Sequence, residues 1–389
     1  MKSPFYKILM GGEDISEFVQ EFDYDASIEK DDLLTIKIQP KVAEEFIDNP
    51  ICNINTDVVF QFGYIQGKIS KNHTAKVTDI EPSYGQGGFV LTIKALDEGN
   101  YIKKTSHAKV YNGKTSSQIA KEIADRLGLK ADIEETSNVW DFIPTANRSD
   151  MEILKYLAKR EEDFISYVRN GTLYFKTRGL DKESKLIYTW GLDVISFKPK
   201  QKSSGGNGGV SNVKISQPDP YTGIQKVTNV DSKSDSKTVL NSKMWSFNAG
   251  DNNLSKTMTN VPKSKTVVNK SQNSTESKNL SKNIQNQGIL DSNPVELQTE
   301  LDPLVEPGDI ITMKGVAKKH LGNYQIVSIK YKISGSGATN TCQMKTNGTG
   351  STKGSFKPSG KVNNSVGKDK ADNTTKIRIF ESNKNKLTT

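Results

Sequence analysis

The clearest pattern of apolar and polar positions lies near the end of the chain. Pro307 and Gly308 predict a type II turn, because proline fixes φ and glycine accepts the positive φ that this turn requires. A short strand follows, and in residues 324–333 every second position is apolar from Val327 onward, which indicates one buried and one wet face. With a further strand over residues 341–345, this spacing is typical of the closing half of a small β-barrel.

Residues 1–96 carry the same kind of pattern. Short alternating runs are separated by glycine turns or by proline, and one helical turn is predicted at residues 42–47. About six strands at this spacing predict an antiparallel barrel or a sandwich. The predicted strands are residues 5–10, a strand marked by Phe18, Phe22 and Tyr24, and residues 34–38, 58–64, 76–80 and 89–96.

Residues 97–192 change character and predict an α+β module. Two capping boxes mark helix starts, because a hydroxyl caps the first turn while a glutamine or glutamate side chain reaches back. An Asn-Gly pair between two short strands predicts a hairpin. The boxes begin at Thr115 and Ser149, the first helix ends at Gly128, and the hairpin turn is Asn170-Gly171.

A second group of strands is predicted within residues 193–345. The pattern favours strands at residues 194–197, 210–216 and 224–230, and a helix at residues 295–301 before the closing strands.

The second group is interrupted by residues 231–287, which are rich in Ser, Asn and Lys and have no sustained period. We expect a flexible insertion made mostly of surface loop. Trp245 and Phe247 are apolar residues within it. They anchor the insertion either to a neighbouring subunit or to a local contact in the same chain.

The C-terminal residues 346–389 have the Gly, Ser, Lys and Asn composition of a flexible linker. Near its end, Ile377, Ile379 and Phe380 form a short apolar strand pattern. This strand either adds to a sheet edge of another subunit or remains a disordered end.

Two stretches of the chain resemble the phage late-control D family, which includes the baseplate hub proteins of contractile tails and the N-terminal part of VgrG spikes. One stretch is Pro307-Gly308-Asp309 with two apolar residues, a glycine, a linker and Gly322-Asn323-Tyr324 before the apolar alternation. The other is Asn147-Arg148-Ser149-Asp150, an apolar helix with an acidic end, a strand and Asn170-Gly171-Thr172-Leu173-Tyr174-Phe175. The order of the segments over residues 1–345 is similar to that family.

The resemblance implies a mainly β fold with an α+β insertion, in which two tube-protein-like antiparallel barrels, residues 1–96 and 193–345, flank residues 97–192. It implies a homotrimer that presents six barrels around one axis, adapts a six-fold tail tube to a three-fold spike and nucleates the tube. The expected partners are the tail spike, as a separate protein, the tail tube and baseplate wedge proteins. The expected location is a virion tail baseplate or injection particle, assembled in the cytoplasm of a bacterial host. No catalytic residue and no cofactor follow from the resemblance.

The net charge of +9 raises the question of nucleic-acid binding. Residues 199–290 hold 13 Lys against five Asp and Glu, and residues 346–389 hold nine basic and three acidic residues. The remainder has 32 basic and 37 acidic residues, a net charge of −5. Positive charge confined to polar connectors is typical of a solubilising role, so no specific nucleic-acid recognition is expected.

Candidate residues for cysteine and metal chemistry are few. Cys52 and Cys342 are far apart in the sequence and predict two free thiols in a reducing cytoplasm. His73, His107 and His320 have no metal-site spacing, so each is expected at the surface or in packing. No apolar run approaches the ~20 residues of a membrane span, and the first residues lack the apolar segment of a signal peptide.

Two local motifs imitate enzyme sites. Gly-Lys-Thr at residues 113–115 resembles the end of a P-loop, but Ala108 stands where that loop needs a glycine. The acidic run Glu-Glu-Asp at residues 161–163 is expected to be a solvated helix end, because a glycosidase fixes two carboxylates across a cleft. No enzyme activity is therefore expected. The alternatives to a hub are a tail component that binds cell-wall material or carbohydrate, and a cell-puncturing hydrolase.

Overall fold

The computed structural model describes residues 3–86, 88–97, 99, 109–145, 148–200, 212–218, 225–231, 240, 243–244, 265–268 and 274–349. Its first part confirms the strands predicted before residue 97, since each alternating run buries the apolar residues of one face. These elements are β1 (Pro4–Met10), β2 (Glu13–Asp14), β3 (Val19–Ser27), β4 (Leu33–Ile38), α1 (Pro40–Ile47), β5 (Asp57–Tyr64), β6 (His73–Gly85) and β7 (Gly88–Leu96).

Both predicted capping boxes are present in the middle module. The hydroxyls of Thr115 and Ser149 each accept a hydrogen bond from the backbone N–H three residues later, at 3.3 Å. Gly128 ends the first helix at a φ of 70°, and Asn170 and Gly171 form the hairpin turn at φ values of 48° and 68°. The elements are β8 (Val110–Thr115), α2 (Ser116–Leu127), β9 (Lys130–Ile133), β10 (Val139–Pro144), α3 (Asp150–Ala158), β11 (Phe164–Arg169) and β12 (Thr172–Thr177).

The last part of the described chain is again rich in strands. It consists of β13 (Leu186–Thr189), β14 (Val194–Pro199), β15 (Asn212–Pro218), β16 (Gln225–Asp231), β17 (Lys243–Met244), β18 (Lys265–Val268), α4 (Ser274–Ser292), β19 (Pro294–Glu300), β20 (Ile310–Lys314), β21 (Gly322–Ser334), β22 (Gly337–Lys345) and β23 (Gly348–Thr349).

The helix predicted at residues 295–301 is wrong, because this segment is strand β19. Val295, Leu297 and Thr299 are buried and alternate with polar neighbours, a period of two that fits a strand with one covered face. Antiparallel pairing with β14 on one side and β22 on the other overrides the helix propensity of the intervening Glu and Gln residues.

The loop predicted for residues 231–287 is wrong at its C-terminal end, where α4 begins at Ser274. The helix has few apolar residues, and Leu280 and Ile284 pack against Ile215 of β15. Its other attachments are mostly polar side-chain contacts, so low hydrophobicity in the sequence did not indicate an ordered element.

Thirteen strands pair into one large sheet that draws on both ends of the chain. The order is β14-β19-β22-β21-β3-β4-β7-β6-β5-β1-β2, and β20 and then β13 continue from the first part of β21. The sheet curls, so that the Tyr6 hydroxyl of β1 donates a hydrogen bond to the Val19 carbonyl of β3 at 2.7 Å. The described strands do not form a closed barrel.

One hydrophobic core serves both groups of strands. Phe22, Phe60 and Phe62 from the N-terminal group are buried in it. Tyr331 of β21 lies among them, with its ring centroid 4.7 Å from that of Phe62 and 5.7 Å from that of Tyr24. Because a buried aromatic side chain of this size contributes about 1.5–3 kcal/mol, the shared cluster binds the two ends of the chain together.

Strand β21 is the connection between the two groups. One of its edges pairs with β20 through residues 322–325 and with β3 through residues 328–333. On its other edge, a bulge at Val327 shifts the register against β22. The bulge reverses the alternation, so that Ile326 before it and Ile329 after it reach the same core. The alternation predicted from Val327 onward is confirmed for the later residues, whereas Val327 itself packs in a separate small cluster.

The turn before β20 has the predicted geometry. Gly308 has a φ of 98°, and the Asp309 N–H donates to the Glu306 carbonyl at 3.1 Å, which closes a type II turn. The Gly308 N–H also donates to the Ile326 carbonyl at 2.8 Å, beside the β21 bulge. This turn therefore fixes where β20 joins β21.

We expect Gly308→Ala to lower the free energy of unfolding by about 1–2 kcal/mol, because alanine is strained at positive φ. A Cβ at this position meets only Ile28 Cγ2, at the ordinary contact distance of 3.8 Å, so the effect isolates the backbone conformation. Gly335→Ala is the matched control, since Gly335 lies in open space without a positive φ. Urea unfolding of both variants checks this, and equal midpoints would contradict it.

Candidate functional site

A group of buried polar side chains lies where the middle module meets the large sheet. This polar junction consists of Tyr24, Ser27, Asp32, His73 and Arg169. Its members come from β3, the connection after it, the start of β6 and the end of β11. Arg169 is the last residue before the Asn-Gly turn. Its guanidinium lies against the large sheet.

Asp32 is the acceptor at the centre of the junction. Arg169 donates from Nε to Asp32 Oδ2 at 2.6 Å and from a terminal nitrogen to Oδ1 at 3.2 Å. The Tyr24 hydroxyl donates to Oδ2 at 2.7 Å, and the Ser27 N–H donates to Oδ1 at 2.8 Å. The side chains of Arg169 and Asp32 are only 6% and 2% exposed, so these bonds compensate two buried charges.

Burial and the charge of Asp32 together determine the protonation of Arg169 and Tyr24. Burial by itself lowers the pKa of the Arg169 guanidinium, but the adjacent Asp32 carboxylate outweighs it and raises that pKa above its ordinary value. Burial, reinforced by the Asp32 charge, raises the pKa of the Tyr24 hydroxyl well above its ordinary value. Both groups therefore keep their protons at neutral pH and remain donors.

His73 was expected either at the surface or in packing, and the structure shows it packed in the core. Its ring stacks at 5.2 Å from Phe60 and 5.8 Å from Phe62, and its Nδ1 lies 3.3 Å from the Tyr24 hydroxyl. Burial first, and then the positive charge of Lys71, lower the pKa of His73 to about 3. The ring is therefore neutral over the physiological range and behaves as an aromatic core residue.

A small cavity borders the junction. Polar groups of Tyr24, His73, Arg169 and Glu306 line it, and it has room for about one water molecule. A cavity of this size does not admit an organic substrate. The junction therefore holds three parts of the chain together and offers no space for a reaction.

The structure corrects the expected environment of the acidic run at residues 161–163. Glu161 and Asp163 are 5% and 8% exposed, so the run is not a solvated helix end. The Ser116 hydroxyl donates to Glu161 Oε1 at 2.5 Å. Helix α4 covers the Asp163 side of the run, which residue spacing did not indicate.

The remaining candidate residues have structural surroundings. Thr115 caps α2, and Lys114 forms an ion pair with Glu122. The Gly-Lys-Thr segment is therefore the end of strand β8 and not a phosphate-binding loop. Cys52 and Cys342 are buried and free. No group of His, Cys, Asp and Glu in the described residues is arranged to hold a metal ion. Of the helices in the described part of the chain, none combines the length and apolar character needed to cross a lipid bilayer.

The candidate interaction residues named from the sequence are Trp245, Phe247, Ile377, Ile379 and Phe380. All five lie outside the described residues.

An exposed apolar turn was not indicated by the sequence analysis. Trp190 and Leu192 are 50% and 81% exposed in the turn between β13 and β14, and we call this segment the Trp190 turn. Leu192 N–H donates to the Thr189 carbonyl at 3.1 Å, and Trp190 N–H donates to the Lys314 carbonyl at 3.0 Å. Large apolar side chains held outward on a fixed backbone are typical of protein–protein contact sites.

We expect Arg169→Met to lower the free energy of unfolding by about 3–5 kcal/mol, because it leaves the Asp32 charge buried without its partner. Asp32→Asn is expected to have a similar effect, and the double variant to lose less than the sum of the two. Lys37→Met is the matched control at the exposed Lys37–Glu21 pair and is expected to cost less than about 1 kcal/mol. Urea unfolding of the set measures this, and strict additivity would contradict it.

Comparison with solved structures shows which proteins have a similar fold. The chain resembles the 43 kDa tail protein of prophage MuSo2 from Shewanella oneidensis, with 14% identity, 89% of this chain and 99% of that chain covered, and a TM-score of 0.67. It resembles a tail protein from Neisseria meningitidis MC58, with 13% identity, coverages of 89% and 97%, and a TM-score of 0.62. It also resembles a chain of the Francisella PdpA–VgrG complex, with 11% identity, coverages of 88% and 52%, and a TM-score of 0.50. At these identities the likeness is one of fold.

Sequence comparison gives the family. No curated protein matches the chain in sequence. The family described as the Alg8 N-terminal domain matches residues 75–335, about two thirds of the 389 residues. The matched region runs from within β6 through the middle module to the end of β21. The chain therefore belongs to the Alg8 N-terminal domain family.

Proposed function

We propose that this protein is a structural hub of a phage tail or a contractile injection particle. The observation that carries the proposal is its fold, which it shares along 89% of its length with two phage tail proteins. A third structure with this fold is a chain of a PdpA–VgrG complex. The buried Arg169–Asp32 pair, which ties the middle module to the large sheet, suits a structural subunit.

The proposed assembly is a homotrimer. Each chain contributes two strand groups, one from β1 to β7 and one from β13, β14 and β19 to β22, and we assign these to residues 1–96 and 193–345 as tube-protein-like units. Three copies would bring six such units around a three-fold axis. This arrangement matches a six-fold tube on one side and a three-fold spike on the other without additional kinds of subunit.

The proposed partners are the tail tube, the tail spike and baseplate wedge proteins, with assembly in the host cytoplasm. The Trp190 turn supports self-association, because it directly precedes β14, the strand at one end of the large sheet among the described residues. A terminal strand leaves one row of backbone groups without a ladder partner in its own sheet. We assign this corner to the contact between copies.

The stoichiometry of the complex with the spike is the direct test of the hub. We expect mass photometry of that complex to give three copies of this chain, because the three-fold spike sets the symmetry. The protein alone is expected at one copy or at multiples of three as concentration rises. Two or four copies in the complex would rule out the hub.

The contact residues are tested separately. We expect Trp190→Ala combined with Leu192→Ala to raise the dissociation constant of the trimer by tenfold or more, because exposed aromatic anchors carry about 2–4 kcal/mol at interfaces. Sedimentation velocity over a concentration series measures this, with urea midpoints as the check on folding. Tyr84→Ala is the control, since Tyr84 is 75% exposed on a different hairpin. An unchanged dissociation constant in the double variant would remove the Trp190 turn from the interface.

A further inference from the structure

Large apolar side chains face solvent at the Trp190 turn and on the strand that follows it. Trp190 and Leu192 are joined in this by Ile195 of β14, which is 50% exposed. Asp193 is the acidic residue of the turn, and its carboxylate accepts a hydrogen bond from the Thr189 N–H at 3.3 Å. The turn therefore presents a mainly apolar surface, with its own carboxylate engaged locally.

Basic side chains border this apolar surface. The Trp190 N–H donates to the Lys314 carbonyl, so the turn lies against the end of β20. No acidic residue occurs in residues 310–329. The lysines here are exposed, and none of them forms an ion pair with another residue of the described chain. We call them the basic ridge, which consists of Lys314, Lys318 and Lys319.

The N-terminal strand group carries a surface of the opposite charge. It is formed by the turn between β1 and β2, the residues that follow this turn, and helix α1. Six exposed acidic residues stand there against two exposed bases, Lys7 and Lys41, a net charge of −4. Within the described ranges, none of the six forms an ion pair. We call this surface the acidic face, and its acidic residues are Glu13, Asp14, Glu17, Glu44, Glu45 and Asp48.

Packing and a hydrogen bond bring the separate segments of the acidic face together. The ring centroid of Phe18 lies 6.1 Å from that of Phe46 on α1. The side-chain amide of Gln39, just before α1, donates to the Glu17 carbonyl at 2.7 Å. The charges that follow β1 and the charges of α1 therefore belong to one surface.

An exposed apolar residue, Ile54, lies beside the acidic face. It is 51% exposed in the loop between α1 and β5. The loop has a fixed backbone, because the Asn55 N–H donates to the Val77 carbonyl at 2.8 Å. The Gly11 N–H, in the turn between β1 and β2, donates to the Asp57 carbonyl at 2.9 Å and holds this turn against the loop. Ile54 thus has acidic neighbours, as Trp190 has basic ones.

The acidic face and the basic ridge do not meet within one chain. The Trp190 turn precedes β14, and β14 and β2 are at opposite ends of the strand order. Among the described residues, no ion pair joins the two surfaces. Around a three-fold axis every contact is heterologous, since a patch that meets its own copy generates a two-fold axis. The Trp190 turn therefore needs a different surface on the next copy.

We propose that the Trp190 turn and the basic ridge of one copy dock on the acidic face of the next, with Trp190 against Ile54. The inference rests on the proposed homotrimer and names the surface that receives the Trp190 turn. Each copy carries both surfaces, so three contacts of the same kind close a ring. The apolar contact supplies affinity, and the opposite charges steer the encounter and fix the register.

Charge reversal with rescue tests the docking. We expect Lys318→Glu combined with Lys319→Glu to raise the dissociation constant of the trimer about tenfold or more, because like charges then face each other across the contact. This change lowers the net charge of the chain from +9 to +5 and with it the general repulsion between copies, so weaker association identifies a specific contact. Glu44→Lys combined with Glu45→Lys is expected to have a similar effect. All four changes together are expected to restore the dissociation constant to within about threefold of the wild-type value.

A matched control separates the contact from the change in net charge. Lys121→Glu combined with Lys130→Glu alters the net charge equally, at two exposed lysines of the middle module, and is expected to leave the trimer intact. Sedimentation velocity over a concentration series gives the dissociation constants, and urea midpoints check the folding of each variant. A three-copy assembly that neither reversed pair weakens, or that the fourfold variant does not recover, overturns the docking alone. A chain that stays monomeric with and without the spike protein overturns the proposed trimer as well.

The wild-type protein provides a second measurement, which does not depend on the folding of any variant. The dissociation constant of the trimer is expected to rise about tenfold between about 0.05 M and about 0.5 M NaCl, because salt screens exposed charges. A constant that stays level or falls with salt would contradict the docking, since a purely apolar contact is not weakened by salt.

Discussion

The fold depends on strand β21, which pairs with two different strands, β20 and β3, along the same edge. β21 offers its first residues to β20 and its later residues to β3, and the bulge at Val327 lies at the changeover. Without the bulge, either Ile326 or Ile329 would point away from the core, because side chains alternate with a period of two. The Gly308 N–H and the Ile28 N–H bond to carbonyls beside the bulge, at 2.8 and 3.0 Å, and hold the strand in this path.

The middle module is joined to this frame by the buried Arg169–Asp32 ion pair and by a small apolar cluster in which Ile165 packs with Ile28 and Val327. Its own apolar cluster is separate from that of the sheet. The bidentate contact of Arg169 with Asp32 fixes both the distance and the orientation of the module, since a planar guanidinium accepts few geometries. The junction thus ties three stretches of the sequence together at one point of the fold.

Local signals allowed much of the fold to be predicted from the sequence. The capping boxes at Thr115 and Ser149, the Asn170–Gly171 hairpin and the turn at Gly308 are all confirmed, because each depends on neighbours within a few residues. The strands before residue 97 are confirmed for the same reason. The tail-protein fold was anticipated from the order of these elements, together with the Pro-Gly-Asp motif.

Features that depend on distant partners were not predicted. β19 is a strand because it pairs with β14 on one side and with β22 on the other. The position of α4 depends in part on Asn283, whose side chain accepts a hydrogen bond from the Asp163 N–H, 120 residues earlier in the chain. The pairing of Arg169 with Asp32 was not predicted, because the two residues are 137 positions apart in the sequence. The exposure of Trp190 was not predicted either, because it depends on the conformation of the whole turn between β13 and β14.

The pairing of β3 with β21 joins residues that are 300 positions apart, as at Ser27 and Val327. A ribosome adds about 5–20 residues per second, so the N-terminal strands wait roughly 15–60 s for the strand that covers them. During that time the edge of β3 that pairs with β21 keeps a row of open backbone groups. The edge of β3 is therefore covered only once β21, one of the last strands of the described chain, has been made.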